Sequence, residues 1–151
     1  MGRIAKFRRL SSSQRRLVIT SAALLVLVRA GLRIFPYQKV NDRLEQWARH
    51  GPVQEVEPDP IADIATADNI AWAVTSAAAR IPGTTCLPRA LVGRYLLVRA
   101  GCPATIHFGT NKGSDGAFAA HAWLESRDRV LLGGETRLDY IPLTAWPTDA
   151  A

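Results

Sequence analysis

The sequence predicts an α+β fold in which N-terminal helices are followed by an antiparallel sheet. Three observations carry that prediction. Apolar residues recur at helical spacing from Leu17 to about Val98. A stop at Gly101 and Pro103 then closes the helical region. Beyond it the stretches 104–109, 118–125 and 129–132 alternate and are separated by turn residues. Helices first and strands last is the order of an α+β domain, not of an alternating parallel one. At 151 residues, 48% hydrophobic and 21% charged, the chain has material for one core and is neither disordered nor a fibrous repeat.

The first element is a basic helical segment within residues 1–50. Arg3, Lys6, Arg8, Arg9, Arg15 and Arg16 precede the uncharged run Leu17–Val28, and Arg29 and Arg33 close it. Twelve uncharged residues are short of a membrane span, which needs about 18–20. Arginines stand where a signal-peptide cleavage site would need small residues. The reading left is an amphipathic or buried helix, capped at Ser12 or Ser13 and stopped at Phe35-Pro36. Residues 1–50 hold 11 basic and 2 acidic side chains, and residues 51–151 hold 8 and 11, so the basic pI belongs to the N-terminal third. That charge favours an acidic partner or a peripheral contact with an anionic membrane. No nucleic-acid motif accompanies it, and no nucleic-acid partner is expected.

A short helix is expected at 41–50 with Val40, Leu44 and Trp47 on one face, and residues 51–60 read as a linker or loop. Residues 61–151 are the expected core. Its first helix is alanine-rich (61–80) and ends at Ile81-Pro82-Gly83. The second runs over 84–101, with Thr84 or Thr85 as N-cap, Cys86 at the first helical position and Pro88 in the first turn. Arg89 and Arg94 on this helix read as facing either a partner or, by preference, solvent.

A cysteine at a helix N-terminus is chemically suggestive, because unpaired N–H groups and the helix dipole stabilise a thiolate. The bland alternative is a small buried hydrophobe. His121, flanked by alanines in a strand, is either a core histidine or the base for that thiol. Alternation places it on one face with Trp123 and Glu125. His107 reads as structural, His50 as solvated and Cys102 as structural. For a third group orienting the imidazole the sequence offers Glu125, Asp128, Glu135 and Asp139, and Glu135 just past the last strand is favoured. No ligand spacing for a metal and no phosphate-binding loop is present, so no metal and no cofactor is expected. Two cysteines in a domain this long read as free thiols in a reducing, cytoplasmic compartment.

The pieces Cys86-Leu87-Pro88-Arg89-Ala90-Leu91, Gly101-Cys102-Pro103-Ala104 and Ala120-His121-Ala122-Trp123 resemble the transglutaminase-like leader peptidases of lasso-peptide biosynthesis. The basic start, leucine-rich helix and Arg33-Ile34-Phe35-Pro36-Tyr37 extend the likeness over most of the chain. The resemblance implies a transglutaminase- or papain-like core in which Cys86 is the nucleophile and His121 the general base. Where that family has Leu-Gly-Asp, this chain reads Leu132-Gly133-Gly134-Glu135. Glu135 in the acid's role, another acid, or a Cys–His dyad are the three alternatives. The implied activity is removal of the leader from a ribosomally made precursor. The implied partners are that precursor peptide, a separate leader-recognition protein and an ATP-dependent lasso cyclase. Two other function classes stay open: an acyl transferase using the same cysteine and histidine, and a non-catalytic peptide-binding scaffold.

Overall fold

The computed structural model describes residues 10–50, 60–112, 117–134 and 140–145. Four helices come first: α1 (Ser12–Ile34), α2 (Tyr37–Arg49), α3 (Pro60–Ala78) and α4 (Cys86–Arg99). Four strands follow: β1 (Thr105–Lys112), β2 (Phe118–Ser126), β3 (Arg129–Leu132) and β4 (Ile141–Ala145). The sheet is antiparallel in the order β3-β2-β1-β4. The expected α+β order is therefore observed.

α1 begins one residue earlier than expected. Ser11 accepts from the Gln14 amide while the Gln14 side chain accepts from the Ser11 amide, a reciprocal cap. The helix also runs on through Arg29 and Arg33, because arginine is a good helix former and a charge does not terminate a helix. Its end at Ile34 is the one Pro36 imposes. At 23 residues α1 is long and apolar enough to cross a membrane by length and composition, although the charge-free run within it is shorter. Its inner residues Val18, Ser21, Leu25 and Val28 are buried, and the helix packs on α3 and α4.

α2 lies on α4 and buries Val40, Asn41, Leu44 and Ala48. Trp47, expected on that buried face, is instead 49% exposed. A groove of about 400 Å³ stays open between α1 and α2, with Trp47, Phe35, Lys39 and Arg43 along it. Arg94 corrects a second expectation. It is 8% exposed, pairs with Glu45 at 2.9 Å and donates to Asn41 Oδ1 at 3.1 Å. Asn41 in turn donates to Glu45 at 3.0 Å, so the buried guanidinium has both charge and hydrogen-bond partners.

The sheet presents Ile106, Ala122, Leu124 and Leu132 to the helices. α4 lies close against them because Gly93 has no side chain. A Cβ there would meet Leu132 Cδ1 at 2.6 Å and Leu124 Cδ2 at 2.7 Å. β1 is longer than expected, since Thr110–Lys112 pair with Ala120–Phe118 and do not form loop. β4 was not anticipated from the sequence at all. Its Pro142 sits opposite Gly109 beside a register shift, on an edge strand where a missing N–H is tolerated.

Candidate active site

Cys86 is the first residue of α4, as expected, and is half-buried against the core. Thr85 occupies the N-cap with no side-chain cap bond, and the Thr84 hydroxyl donates to the Ile81 carbonyl at 2.9 Å instead. No acidic residue lies in the first turn of α4. The helix therefore presents its N-terminal amides beside Cys86 without a side-chain cap.

Two contacts fix the direction in which α4 runs along the sheet. At the C-terminal end of α4, Cys102 Sγ lies 3.9 Å from the Asp63 carbonyl, and the Asp63 carboxylate pairs with Arg127 in the β2–β3 turn at 2.5 Å. Midway, Gly93 faces Leu124. α4 and β2 thus run in the same direction. From Gly93, seven residues back at about 1.5 Å each lead to Cys86, and from Leu124, three residues back at about 3.3 Å each lead to His121. Both paths are about 10 Å long, so the backbones of Cys86 and His121 lie toward the same end of the helix–sheet layer, while alternation along β2 sets the His121 ring on the face of Trp123 and Glu125, opposite Ala122 and Leu124.

The imidazole is firmly held. His121 Nε2 lies 2.8 Å from the Gly133 carbonyl, and since a carbonyl oxygen only accepts, Nε2 carries a proton and donates it. Gly133 has φ +76°, and its Cβ would stand 2.8 Å from the Ala122 carbonyl and 3.2 Å from His121 Nε2. Only glycine fits there without strain. The ring also stacks on Trp123 at 6.2 Å between centroids and lies 5.0 Å from Tyr140. Among the described residues no hydrogen bond joins His121 to Cys86.

Of the acids considered, Glu125 does share a face with His121 and Trp123, but its oxygens are engaged elsewhere. Trp123 Nε1 donates to one at 3.1 Å and His107 Nε2 lies 3.1 Å from the other, with His107 stacked on Trp123 at 5.7 Å. His107 is thereby the structural histidine expected. Asp128 is in the β2–β3 turn at φ +61°. Glu135 and Asp139 lie outside the described residues. His50 is exposed at the end of α2, with Nδ1 2.7 Å from the Gln46 carbonyl. Cys102 is 3% exposed, and burial, reinforced by Asp63, pushes its thiol above the ordinary value of 9.0. That is the opposite of an activated nucleophile.

Arg89 departs from its expected solvated setting. It sits one turn after Cys86, its Nε is buried without a hydrogen-bond partner, and with Thr75 and Gly133-Gly134 it lines a cavity of about 370 Å³. Among the described residues no group of histidines, cysteines and acids is arranged to hold a metal.

A helix bearing a cysteine at its start, followed by a sheet whose second strand carries a held histidine, has a counterpart among known folds. The family model described as the transglutaminase-like superfamily matches residues 24–145. The chain belongs to the transglutaminase-like superfamily. The match takes in the last 11 of the 23 residues of α1, all of α2 to α4 and the whole sheet. Transglutaminase-like domains are typically cysteine-dependent enzymes. No curated protein and no solved structure matches the chain.

The residue that sequence reasoning missed is Gly133. The sequence points there to an acid that would orient His121, whereas the described partner of Nε2 is a backbone carbonyl. The available signal was the glycine pair directly after β3, a position where a positive φ is cheap.

Proposed function

We propose that this protein is a cysteine peptidase that removes the leader from a ribosomally synthesised lasso-peptide precursor. The observation that supports it best is the placement of Cys86 at the start of α4 with no side-chain cap, in a chain whose β2 carries His121 with Nε2 held by the Gly133 carbonyl. In this reading His121 Nδ1 takes the Cys86 proton, and the thiolate attacks the last leader carbonyl. The backbone N–H of Cys86 donates to the developing oxyanion. The tetrahedral adduct collapses to a thioester as His121 returns the proton to the departing core-peptide amine. Nδ1 then deprotonates a water that cleaves the thioester, freeing the leader acid and the thiol. The Cys86–His121 hydrogen bond forms when the peptide binds, as catalytic hydrogen bonds commonly tighten in the substrate complex.

The Gly133 carbonyl holds Nε2 in the role that a triad acid has elsewhere, and Glu135, two residues on, supplies the negative charge that stabilises the imidazolium. The leader is brought by a separate recognition protein, and the freed amine passes to an ATP-dependent cyclase. The reaction occurs in the cytoplasm and needs no cofactor.

The test is mass spectrometry of the precursor incubated with the protein and its leader-recognition partner. Free leader and free core are expected with the wild type, and a loss of about 10³-fold or more with Cys86→Ala. An unchanged rate in Glu135→Ala would remove Glu135 from the mechanism. The reading fails if the precursor stays intact and iodoacetamide alkylates Cys86 no faster than buried Cys102.

A further inference from the structure

We propose that the outer face of α1 seats the protein in the plane of an anionic lipid surface. The inner face of α1 is committed to the core through Val18, Leu25 and Val28. The opposite arc is apolar and open. Ile19 is 59% exposed, Val26 54% and Leu27 59%, with Ala23 and Ala30 exposed between and beside them. At about 100° per residue these five form one stripe along the helix. No charge falls between Arg16 and Arg29, and α1 contains no acid.

Cations bracket the stripe. Arg15 and Arg16 are exposed at one end and Arg33 at the other, about 25 Å away at 1.5 Å per residue. That is the layout of a helix lying at a membrane interface, its apolar face among the acyl chains and its ends at the headgroups. Beside the stripe the α1–α2 groove continues the surface. Phe35 is 51% exposed and Trp47 49%, with Lys39 and Arg43 along its edge. An exposed tryptophan among cations suits the headgroup region.

Three other ways of covering the face fit less well. A transmembrane path would need lipid on every side of α1, whereas α3 and α4 cover one side. A second copy of the chain would bring together two N-terminal regions that each hold 11 basic against 2 acidic residues. A peptide helix in the groove would cover Leu27, Phe35 and Trp47 but leave Ile19 and Val26 in water.

The experiment is co-sedimentation of the full chain with vesicles of phosphatidylcholine, with and without phosphatidylglycerol. Binding to the anionic vesicles is expected, with weak binding to the neutral ones. Arg15→Gln, Arg16→Gln and Arg33→Gln together are expected to weaken it about a hundredfold, at roughly fivefold per cation. Ile19→Ser with Val26→Ser is expected to weaken it about tenfold. Because both residues face outward, an unchanged circular dichroism melt checks that this variant folds. Equal binding to neutral and anionic vesicles overturns the proposal, as does full binding by the Ile19→Ser, Val26→Ser variant. Loss confined to a Lys39→Gln, Trp47→Ser variant also overturns it, and would assign the face to a peptide partner. Thiol reactivity at Cys86 is read separately, so failure here is distinguishable from failure of the peptidase reading.

Discussion

Replacing Gly133 by alanine tests the anchor of His121, and Gly101 provides an internal control. Both glycines have φ +76°. An alanine in this left-handed region costs about 1–2 kcal/mol at either place. The entropy that alanine removes from the unfolded chain is the same for both. The two sites differ in space. A Cβ at Gly101 meets nothing within 4 Å, whereas at Gly133 it stands 2.8 Å from the Ala122 carbonyl oxygen, a backbone atom that cannot swing aside. Crowding of that kind adds about 1–3 kcal/mol. Gly101→Ala is therefore expected to cost about 1–2 kcal/mol, and Gly133→Ala about 2–5 kcal/mol. In thermal melts the second variant should unfold roughly 2–12 °C below the first. The alanine would also displace the carbonyl that receives His121 Nε2, so Gly133→Ala should lose cleavage rate at temperatures where it remains folded, and Gly101→Ala should not. Equal melting temperatures for the two variants would refute the argument from crowding. Unchanged cleavage in folded Gly133→Ala would refute the role of the carbonyl.

Three further outcomes are expected. Gly93→Val should destabilise by about 2–3 kcal/mol in urea melts, because its methyls would enter the space held by Leu124 and Leu132. Arg94→Ala should cost about 2–3 kcal/mol by the same measurement, towards the low side for a broken buried pair because Glu45 keeps 25% side-chain exposure; a cost near zero would show that the pair contributes nothing net. The third concerns pH. Burial raises the folded Cys102 thiol above 9.0, so the unfolded chain ionises first. The stabilisation from protonated Cys102 is complete below that pH and is lost as pH rises through the folded value. Cys102→Ala should flatten the alkaline fall in melting temperature, and an identical profile would assign the fall to other groups such as Tyr37, whose hydroxyl burial also raises.

The helices and the first three strands were legible because each carries a local signal. Pro36, the Pro82-Gly83 pair and Gly101 mark ends, and β2 alternates around His121 and Trp123. β4 was not, because Pro142 argues against a strand unless the edge position is already known. Trp47 fits a buried helical face by spacing, and its exposure depends on how far α1 and α2 splay, a tertiary quantity. Arg94 looked solvated because its partners Asn41 and Glu45 lie some fifty residues away. At the site, Cys86 and His121 stood out by residue type and position. The Gly133 carbonyl did not, since a main-chain acceptor leaves no mark in the side-chain sequence beyond the glycine that permits it.

The two thiols occupy opposite ends of α4, Cys86 at its first residue and Cys102 just past its last. Thirteen helical steps alone separate the ends by about 20 Å, whereas a disulfide needs Cα atoms within about 7 Å. A stiff helix that is also the central packing element cannot fold back to close that gap. Under oxidative stress Cys86 therefore has no internal partner to shelter it as a reversible bridge. A sulfenic acid formed there is resolved by glutathione or by a second chain, or proceeds irreversibly to the sulfinic acid. The same rod that sets the thiol in place leaves its survival to whatever external thiols reach it.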